Sequence, residues 1–221
     1  VVVISSLTQQ GSQTALKAVE AGAVDILAKP GGSFSLGQVA PQLVHKVKAA
    51  AQARRLPGRQ PKAQPVVASP PAGHHFHPRQ LVLIGASTGG TEALAQVIPA
   101  LPASMPPVLI VQHIPQHFSY AFAERLNRLS ALEVAEASEN ERLQPGQARV
   151  APGDYHLTLS WSAGSYRTHL NQEPMVWHQR PAVDVLFHCA AQLKAGQHCV
   201  AAILTGMGRD GAEGMLALRN Q

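Results

Sequence analysis

The sequence has few charged residues and no long apolar run, and both shortages narrow what the protein can be. Asp, Glu, Lys and Arg make up 14% of its 221 residues and hydrophobic residues 45%, a composition typical of folded rather than disordered chains. No apolar run reaches the roughly 18 residues that a membrane span needs, and the first residues lack the charged-then-apolar pattern of a signal peptide. We therefore expect a globular protein without membrane insertion.

Cysteine is also scarce, because the chain contains only Cys189 and Cys199. Both lie in apolar stretches, FHCAAQL and HCVAAIL, which are typical of core residues in a reduced protein. The sequence therefore predicts no disulfide scaffold and a cytoplasmic location.

Acidic residues are missing altogether between Asp25 and Glu92, an interval that holds eight lysines and arginines. These eight account for the whole formal net charge of +5, and the remainder of the chain is mildly acidic. A nucleic-acid-binding domain would concentrate its positive charge on a folded face. We therefore predict no nucleic-acid partner.

The chain divides into three parts. Residues 1–53 read as strand, helix, strand and helix, which is the pattern of a crossover unit. Residues 54–80 are basic and rich in proline, which predicts an extended linker. Its histidines, His74, His75 and His77, lack residues that would orient them toward a metal, so we predict no metal site there. Because the chain begins at Val1, inside a predicted strand, we expect it to be a fragment.

Residues 81–221 alternate between β-branched apolar runs and segments with apolar residues at helical spacing. Such alternation predicts an α/β domain with a doubly wound, mostly parallel sheet, and the β-like segments ARVAPGDYHLTLS and SYRTHL predict a small β-hairpin insertion. In open sheets of this kind the active crevice lies at the carboxyl ends of the strands.

Three of these strands end next to residues that are able to do chemistry. LVLIGA is followed by Ser87, VLIVQ by His113 and AAILTGMGR by Asp210. A serine, a histidine and a carboxylate can form a nucleophile, a general base and an orienting acid. The segment GASTG also matches the G-x-S-x-G turn, in which a strand bends into a helix whose N-terminal amides suit an oxyanion.

Other interpretations of these residues remain open at this point. The glycine-rich turn could instead hold a phosphate, and Ser87 or Thr88 could simply cap the helix, although the pattern is not G-x-G-x-x-G. Asp184 and Asp154 are rival acids, the second with an obvious role in a turn. The order Ser, His, Asp differs from that of the α/β-hydrolases. The remaining histidines favour structural or surface roles: His117, His156, His169, His178, His188 and His198.

Four motifs, GASTGG, QHIP, HQRPAVDVLF and LTGMGRDG, resemble in order and spacing the catalytic domain of the chemotaxis protein-glutamate methylesterases. VVVISSLTQQGSQTALKAVEAGAVDILAKP is similar to the second half of a response-regulator receiver domain with a flavodoxin-like fold, which precedes the esterase in that family. The resemblance implies a hydrolase that demethylates methyl-accepting chemotaxis receptors, releases methanol and, in many members, deamidates receptor glutamines.

The resemblance also implies roles for particular residues. Ser87 would be the nucleophile, His113 the general base and Asp210 the acid that orients it, with no metal and no other cofactor needed for catalysis. Thr88 and Met207 would help to form the oxyanion site. In the receiver part, Ser5 and Lys29 would respond to an aspartyl phosphate that a chemotaxis histidine kinase supplies and that needs Mg²⁺. The aspartate and the Mg²⁺ ligands are absent from the sequence, as are the last strand and helix of the esterase, so we expect truncation at both ends.

Two other functions compete with hydrolysis. GASTGG could hold a nucleotide phosphate in a binding module, which nucleotide titration would reveal. The output domain could instead be a scaffold that docks on receptor helices without chemistry, which covalent labelling of Ser87 would contradict.

Overall fold

The computed structural model describes residues 1–6, 8–29, 36–52, 76–206 and 208–221. The first part of the chain forms two strands and two helices, with β1 and β2 paired in parallel. Thr8 caps the first helix, because its side-chain oxygen accepts a hydrogen bond from Gly11 N–H at 3.0 Å. These elements are β1 (Val2–Ser5), α1 (Gln9–Glu20), β2 (Asp25–Ala28) and α2 (Leu36–Gln52).

The larger part of the chain forms a parallel sheet, a hairpin and four further helices. Its strands are β3 (Leu81–Ala86), β4 (Val108–Gln112), β5 (Glu133–Glu136), β6 (Gln147–Val150), β7 (His156–Ser162), β8 (Ser165–Asn171) and β9 (Cys199–Ile203). Its helices are α3 (Gly90–Val97), α4 (Phe118–Leu129), α5 (Val183–Gln192) and α6 (Ala212–Arg219). Five strands pair in the order β5-β6-β4-β3-β9, all parallel, while β7 and β8 form an antiparallel hairpin.

Apolar cores lie on both faces of this sheet. Along β3, Val82 and Ile84 pack with residues of α3 and α4, whereas Leu81 and Leu83 pack with residues of α5 and α6. Burial on both faces explains why β3 reads as an unbroken apolar run rather than as an alternating one. The α/β fold with a mostly parallel, doubly wound sheet and a small hairpin is therefore confirmed.

The chain leaves β3 toward one side of the sheet and later returns to its other side. β4 lies beside β3 on one edge and β9 on the other, with the carboxyl ends of all three strands at the same rim. A point where the strand order reverses is where ligands bind in open α/β sheets. The topology thus places a crevice next to Ser87.

Two features differ from the sequence-based expectation. Strand β5 was not predicted, and the end of the predicted linker packs against the hairpin. The strand is short and lies at the sheet edge, where Glu133 is exposed, so its apolar signal is weak. Residues 76–80, assigned to the linker, pack on the hairpin, because Tyr166 Oη donates to Arg79 O at 3.3 Å. Residues 53–75, which include most of that linker with His74 and His75, lie outside the described residues.

Helix α1 packs against α4. Ala15, Leu16 and Val19 belong to the same apolar core as Phe122, and Arg125 Nε lies 3.0 Å from Glu20 Oε1. None of the helices within the described ranges is long and apolar enough to cross a membrane.

Gly85 gives a test of how β3 and α5 fit together. A Cβ at position 85 would lie 2.5 Å from Val183 Cγ1, so Gly85→Ala must push the start of α5 away from the sheet. We expect a loss of about 1–3 kcal/mol in the free energy of unfolding, measured by urea denaturation.

The double variant Gly85→Ala/Val183→Ala is the matched control, because removing the two Cγ atoms makes room for the new methyl group. Its loss should be smaller than the sum of the two single losses. Additive losses, or a Gly85→Ala variant as stable as the wild type, would contradict this packing.

Candidate active site

Ser87 follows β3 in a turn that several hydrogen bonds hold in place. Its N–H donates to Thr205 O at 3.1 Å, and its carbonyl accepts from Gly90 N–H at 2.7 Å and from Gln112 Nε2 at 2.9 Å. Gly89, with φ 78°, precedes α3 in the left-handed region that glycine adopts readily. The G-x-S-x-G segment therefore forms the strand-to-helix turn that its glycines predict.

His113 follows β4 and faces the serine. Its backbone N–H donates to Ala86 O at 3.1 Å, which extends the pairing of β3 and β4 by one residue. Its side-chain Nδ1 lies 2.9 Å from Ser87 Oγ, within hydrogen-bonding distance. Adjacent parallel strands thus bring together two residues that are 26 positions apart in the chain.

Asp210 lies on the other side of the imidazole. Its Oδ2 is 2.7 Å from His113 Nε2 and also accepts from Val183 N–H at 2.8 Å, while its Oδ1 accepts from Asp184 N–H at 2.8 Å. Val183 and Asp184 begin α5, so the carboxylate occupies a helix N-terminus, where free amides and the helix dipole favour negative charge. His113 and two backbone amides of α5 therefore hold both oxygens of Asp210 in place.

These contacts determine which nitrogen of neutral His113 carries the proton. A carboxylate only accepts hydrogen bonds, so Nε2 must be protonated to donate to Asp210. Nδ1 then has a free lone pair directed at Ser87 Oγ. The arrangement can take the proton from the serine hydroxyl as that oxygen attacks a carbonyl carbon.

Ser87, His113 and Asp210 line one cleft of about 360 Å³. The side chains of His113 and Asp210 are only 11% and 6% exposed, so water reaches them chiefly through this opening. The rest of the wall is mostly small or apolar, and its described members include Val183, Ile203, Gly206 and Trp177. A cleft with this mostly apolar lining suits a long side chain of a polypeptide better than it suits a polyphosphate.

Of the two residues expected to help form the oxyanion site, the structure describes Thr88 but not Met207. Thr88 lies next to Ser87, but its Oγ1 is buried without a hydrogen-bond partner in the described part of the chain, and it does not line the cleft. Met207 lies outside the described residues. Helix α3 begins at Gly90, three residues after Ser87, so the amides of its first turn follow directly on the serine turn.

The rival acids serve other contacts. Asp184 is buried and accepts from Trp177 Nε1 at 2.8 Å and from Gly214 N–H at 2.7 Å. Asp154 forms an ion pair with Arg180 at 2.6 Å. Neither carboxylate is hydrogen-bonded to His113. Sequence reasoning treated Asp184 as a competitor and gave no role to Trp177, which lines the cleft.

The two residues singled out in the first part of the chain lie at the carboxyl ends of β1 and β2. Ser5 Oγ donates to Gly11 O at 3.0 Å, and Lys29 N–H donates to Ser5 O at 2.7 Å. The Lys29 side chain is exposed. The structure brings these two residues together at one rim of the two-stranded sheet.

A second serine, histidine and carboxylate are joined on the hairpin. Ser160 Oγ lies 2.8 Å from His169 Nε2, and His169 Nδ1 lies 2.9 Å from Glu139 Oε1. The side chains of His169 and Glu139 are 39% and 58% exposed, and none of the three lines the cleft at Ser87. The Leu170 N–H and the His169 ring lower the pKa of Glu139. The distances between the three side chains therefore do not distinguish this surface group from the group at Ser87. The burial of His113 and Asp210, and the position of Asp210 at the N-terminus of α5, do distinguish them.

Among the other histidines within the described ranges, His178 lines the cleft, while His77 and His198 contact each other. His77 stacks on His198 with 4.7 Å between the ring centroids. Within the described ranges, no three His, Cys, Asp or Glu side chains are arranged to hold a metal ion.

Comparisons with known proteins agree with this arrangement of strands and motifs. The CheB methylesterase family model matches residues 82–221. The chain is 45% identical over 219 residues to the protein-glutamate methylesterase/protein-glutamine glutaminase 2 of Syntrophus aciditrophicus, covering 99% of this chain and 64% of that protein. It is 46% identical over 221 residues to the protein-glutamate methylesterase/protein-glutamine glutaminase of Escherichia coli K12, covering 99% and 62%. The chain thus spans less than two thirds of these curated relatives.

A solved structure is similar as well. The crystal structure of the Thermotoga maritima CheB methylesterase catalytic domain superposes with a TM-score of 0.62 and 39% sequence identity. The match covers 64% of this chain and 75% of that one. The likeness therefore extends over most of that catalytic domain.

His156 contacts Ala182, the residue that precedes α5, and it makes the stability of the fold depend on pH. The buried ring accepts from Ala182 N–H at Nδ1, 3.2 Å away, and donates from Nε2 to Pro174 O at 3.1 Å. Protonation of Nδ1 would break the bond to Ala182, which precedes α5. Burial lowers the pKa of His156, although the Pro174 carbonyl opposes that shift.

Because the folded pKa lies below 6.5, the unfolded chain binds the extra proton first as pH falls. Stability from neutral His156 is therefore present above pH 6.5 and is lost below it, at no more than about 1.4 kcal/mol per pH unit. We expect urea denaturation between pH 7.5 and 5.5 to show a shallower pH slope for His156→Gln than for wild type. His117→Asn controls for the loss of one exposed histidine; equal slopes in wild type and His156→Gln would contradict the assignment.

Proposed function

The chain belongs to the CheB methylesterase family, and from this we propose that it hydrolyses glutamyl methyl esters on methyl-accepting chemotaxis receptors and releases methanol. The observation that carries the proposal is the hydrogen-bonded series from Ser87 through His113 to Asp210 in the wall of a cleft. We assign Ser87 as nucleophile, His113 as general base and Asp210 as the acid that orients the imidazole.

In the first half-reaction, Ser87 Oγ attacks the ester carbonyl carbon and gives its proton to His113 Nδ1. The Nε2–H of the resulting imidazolium stays hydrogen-bonded to Asp210, whose negative charge stabilises it. The tetrahedral intermediate then collapses, the bond to the methoxy oxygen breaks, and His113 Nδ1–H protonates the departing oxygen. Methanol leaves, and a glutamyl ester of Ser87 remains.

In the second half-reaction, water replaces methanol at His113. Nδ1 takes a proton from the water as its oxygen attacks the acyl carbon, and collapse returns that proton to Ser87 Oγ. The products are a glutamate side chain and the free serine. Every proton is accounted for by these side chains and water, so this chemistry calls for no metal or organic cofactor.

Both tetrahedral intermediates need hydrogen-bond donors for their oxyanions. We assign this role to backbone amides in the first turn of α3 other than that of Gly90, which donates to Ser87 O; the helix dipole there also favours negative charge. Thr88 and Met207 are further proposed contributors, on the strength of the family resemblance. In other acyl-transfer enzymes, loss of one such donor lowers turnover about 10²-fold to 10³-fold.

The same residues can act on a receptor glutamine. Attack on the amide carbon gives the same glutamyl-enzyme, with ammonia leaving in place of methanol after protonation by His113. The relatives from Syntrophus aciditrophicus and Escherichia coli are named for both activities. We therefore propose glutaminase activity as well.

We propose that residues 1–53 are the C-terminal part of a receiver domain, that residues 54–80 form a linker, and that residues 81–221 are the catalytic domain of a cytoplasmic protein. In the full-length protein, a chemotaxis histidine kinase would phosphorylate the receiver and relieve its obstruction of the catalytic face. Ser5 and Lys29 supply a hydroxyl and an ammonium to that switch. Neither side chain offers a carboxylate for Mg²⁺.

Replacement of the nucleophile or the base tests the proposal. Ser87→Ala and His113→Ala should each lower methanol release from methylated receptor at least about 10²-fold, because the first removes the attacking oxygen and the second its proton acceptor. Methanol release is measured with the whole chain, and circular dichroism establishes that each variant is folded.

Ser160→Ala is the matched control, since Ser160 is hydrogen-bonded to His169, which in turn contacts Glu139, but Ser160 lies outside the cleft. It should keep the wild-type rate. Wild-type turnover by a folded Ser87→Ala variant would refute the proposed mechanism.

A further inference from the structure

A tight turn carries Trp177 at the edge of the cleft. Val176 and Gln179 exchange backbone hydrogen bonds of 3.1 and 2.9 Å, so Trp177 and His178 are the two central residues of a two-residue hairpin. Both adopt left-handed backbone angles, with φ of 52° and 59°, which are unfavourable for residues other than glycine. Contacts around the turn must therefore hold it in this shape.

A buried carboxylate provides the strongest of these contacts. Trp177 Nε1–H donates to Asp184 Oδ2 at 2.8 Å, and the other oxygen of Asp184 accepts from Gly214 N–H at 2.7 Å. The indole is thus tied to α5 and α6 at its nitrogen. Trp177 nevertheless remains 38% exposed, so a fixed aromatic surface faces the cleft.

Arg209 lies on this aromatic surface. Its guanidinium carbon is 4.4 Å from the centre of the Trp177 ring, a distance at which a cation and an indole attract each other. Arg209 also contacts Glu213 at 3.3 Å, and both side chains are more than half exposed. An exposed pair of this kind contributes little free energy, so another carboxylate can replace Glu213 at small cost.

Arg209 is the only arginine or lysine among the described residues that line the cleft. Arg209 forms its ion pair with Glu213 and not with Asp210, whose oxygens accept hydrogen bonds from His113 and from two amides of α5. The Arg209 side chain is 67% exposed, whereas that of His113 is 11% exposed. The cation therefore lies at the rim, above the reacting atoms.

A glutamyl methyl ester is neutral and needs no cation for its own recognition. A guanidinium held over an indole ring presents its N–H groups to a carboxylate with little loss of side-chain freedom. We infer that Arg209, oriented by Trp177, binds a carboxylate side chain of the protein substrate next to the ester-bearing glutamate. This inference rests on the proposed esterase function and adds a preference for acidic substrate segments.

Binding can be tested without turnover. Two labelled peptides with one glutamyl methyl ester each, flanked either by glutamates or by glutamines, are titrated against the whole chain carrying Ser87→Ala, and fluorescence anisotropy gives each Kd. We expect the acidic peptide to bind about 5-fold to 10-fold more tightly at low salt. The preference should shrink as ionic strength rises.

Variants of Arg209 test whether this residue causes the preference for the acidic peptide. Arg209→Gln in the Ser87→Ala chain should bring the ratio of the two Kd values close to one, and Arg209→Lys should keep only part of the preference because the ammonium does not stack on the indole. Arg219→Gln removes an exposed arginine that does not line the cleft and should leave the ratio unchanged. A ratio near one before Arg209 is replaced, or one that Arg209→Gln does not change, would overturn the inference.

Hydrolysis of the same peptides separates this inference from the proposed function. With Ser87 present, the acidic peptide should show the higher kcat/KM, and Arg209→Gln should reduce that advantage. Methanol release without any preference would reject the Arg209 site and leave the esterase proposal standing. A preference in binding with no methanol release from either peptide would support the Arg209 site and reject the esterase proposal.

Discussion

The pair of hydrogen bonds from the first residues of α5 to Asp210 is the contact on which the rest of the site depends. These amides and the helix dipole hold a carboxylate at a position that is almost inaccessible to solvent. The carboxylate orients His113, and His113 directs a lone pair at Ser87. Anything that moves the start of α5, such as its packing on Gly85 or the bond from Ala182 to His156, therefore acts on the chemistry through Asp210.

Much of this arrangement could be predicted from the sequence, because parallel strands place the residues that follow them at one rim. That rule brought His113 next to Ser87, 26 residues earlier in the chain, and next to Asp210, 97 residues later, and the structure has both pairs in hydrogen-bonding contact. Their catalytic roles remain proposals. The β/α alternation likewise predicted the sheet, since strands buried on both faces are continuously apolar.

Other features had no signal in the sequence. The short edge strand β5 has one exposed face and little apolar content. Trp177 is presented by a turn that contains neither glycine nor asparagine, so no turn rule predicts it. Asp184 looked like a rival acid because chain position cannot reveal that Trp177 and Gly214 occupy its oxygens. The second group, Ser160, His169 and Glu139, shows that the same three side-chain types can also meet where a loop residue contacts the exposed side of a hairpin.

The protonation state of His113 tests the central claim most directly. Nitrogen-15 NMR of the histidine-labelled chain, assigned with His113→Gln, distinguishes a protonated from an unprotonated ring nitrogen. If Asp210 at the start of α5 orients the imidazole, neutral His113 carries its proton on Nε2 and has an unprotonated Nδ1 facing Ser87. A neutral ring protonated on Nδ1 would contradict the account, because no lone pair would then be available to the serine.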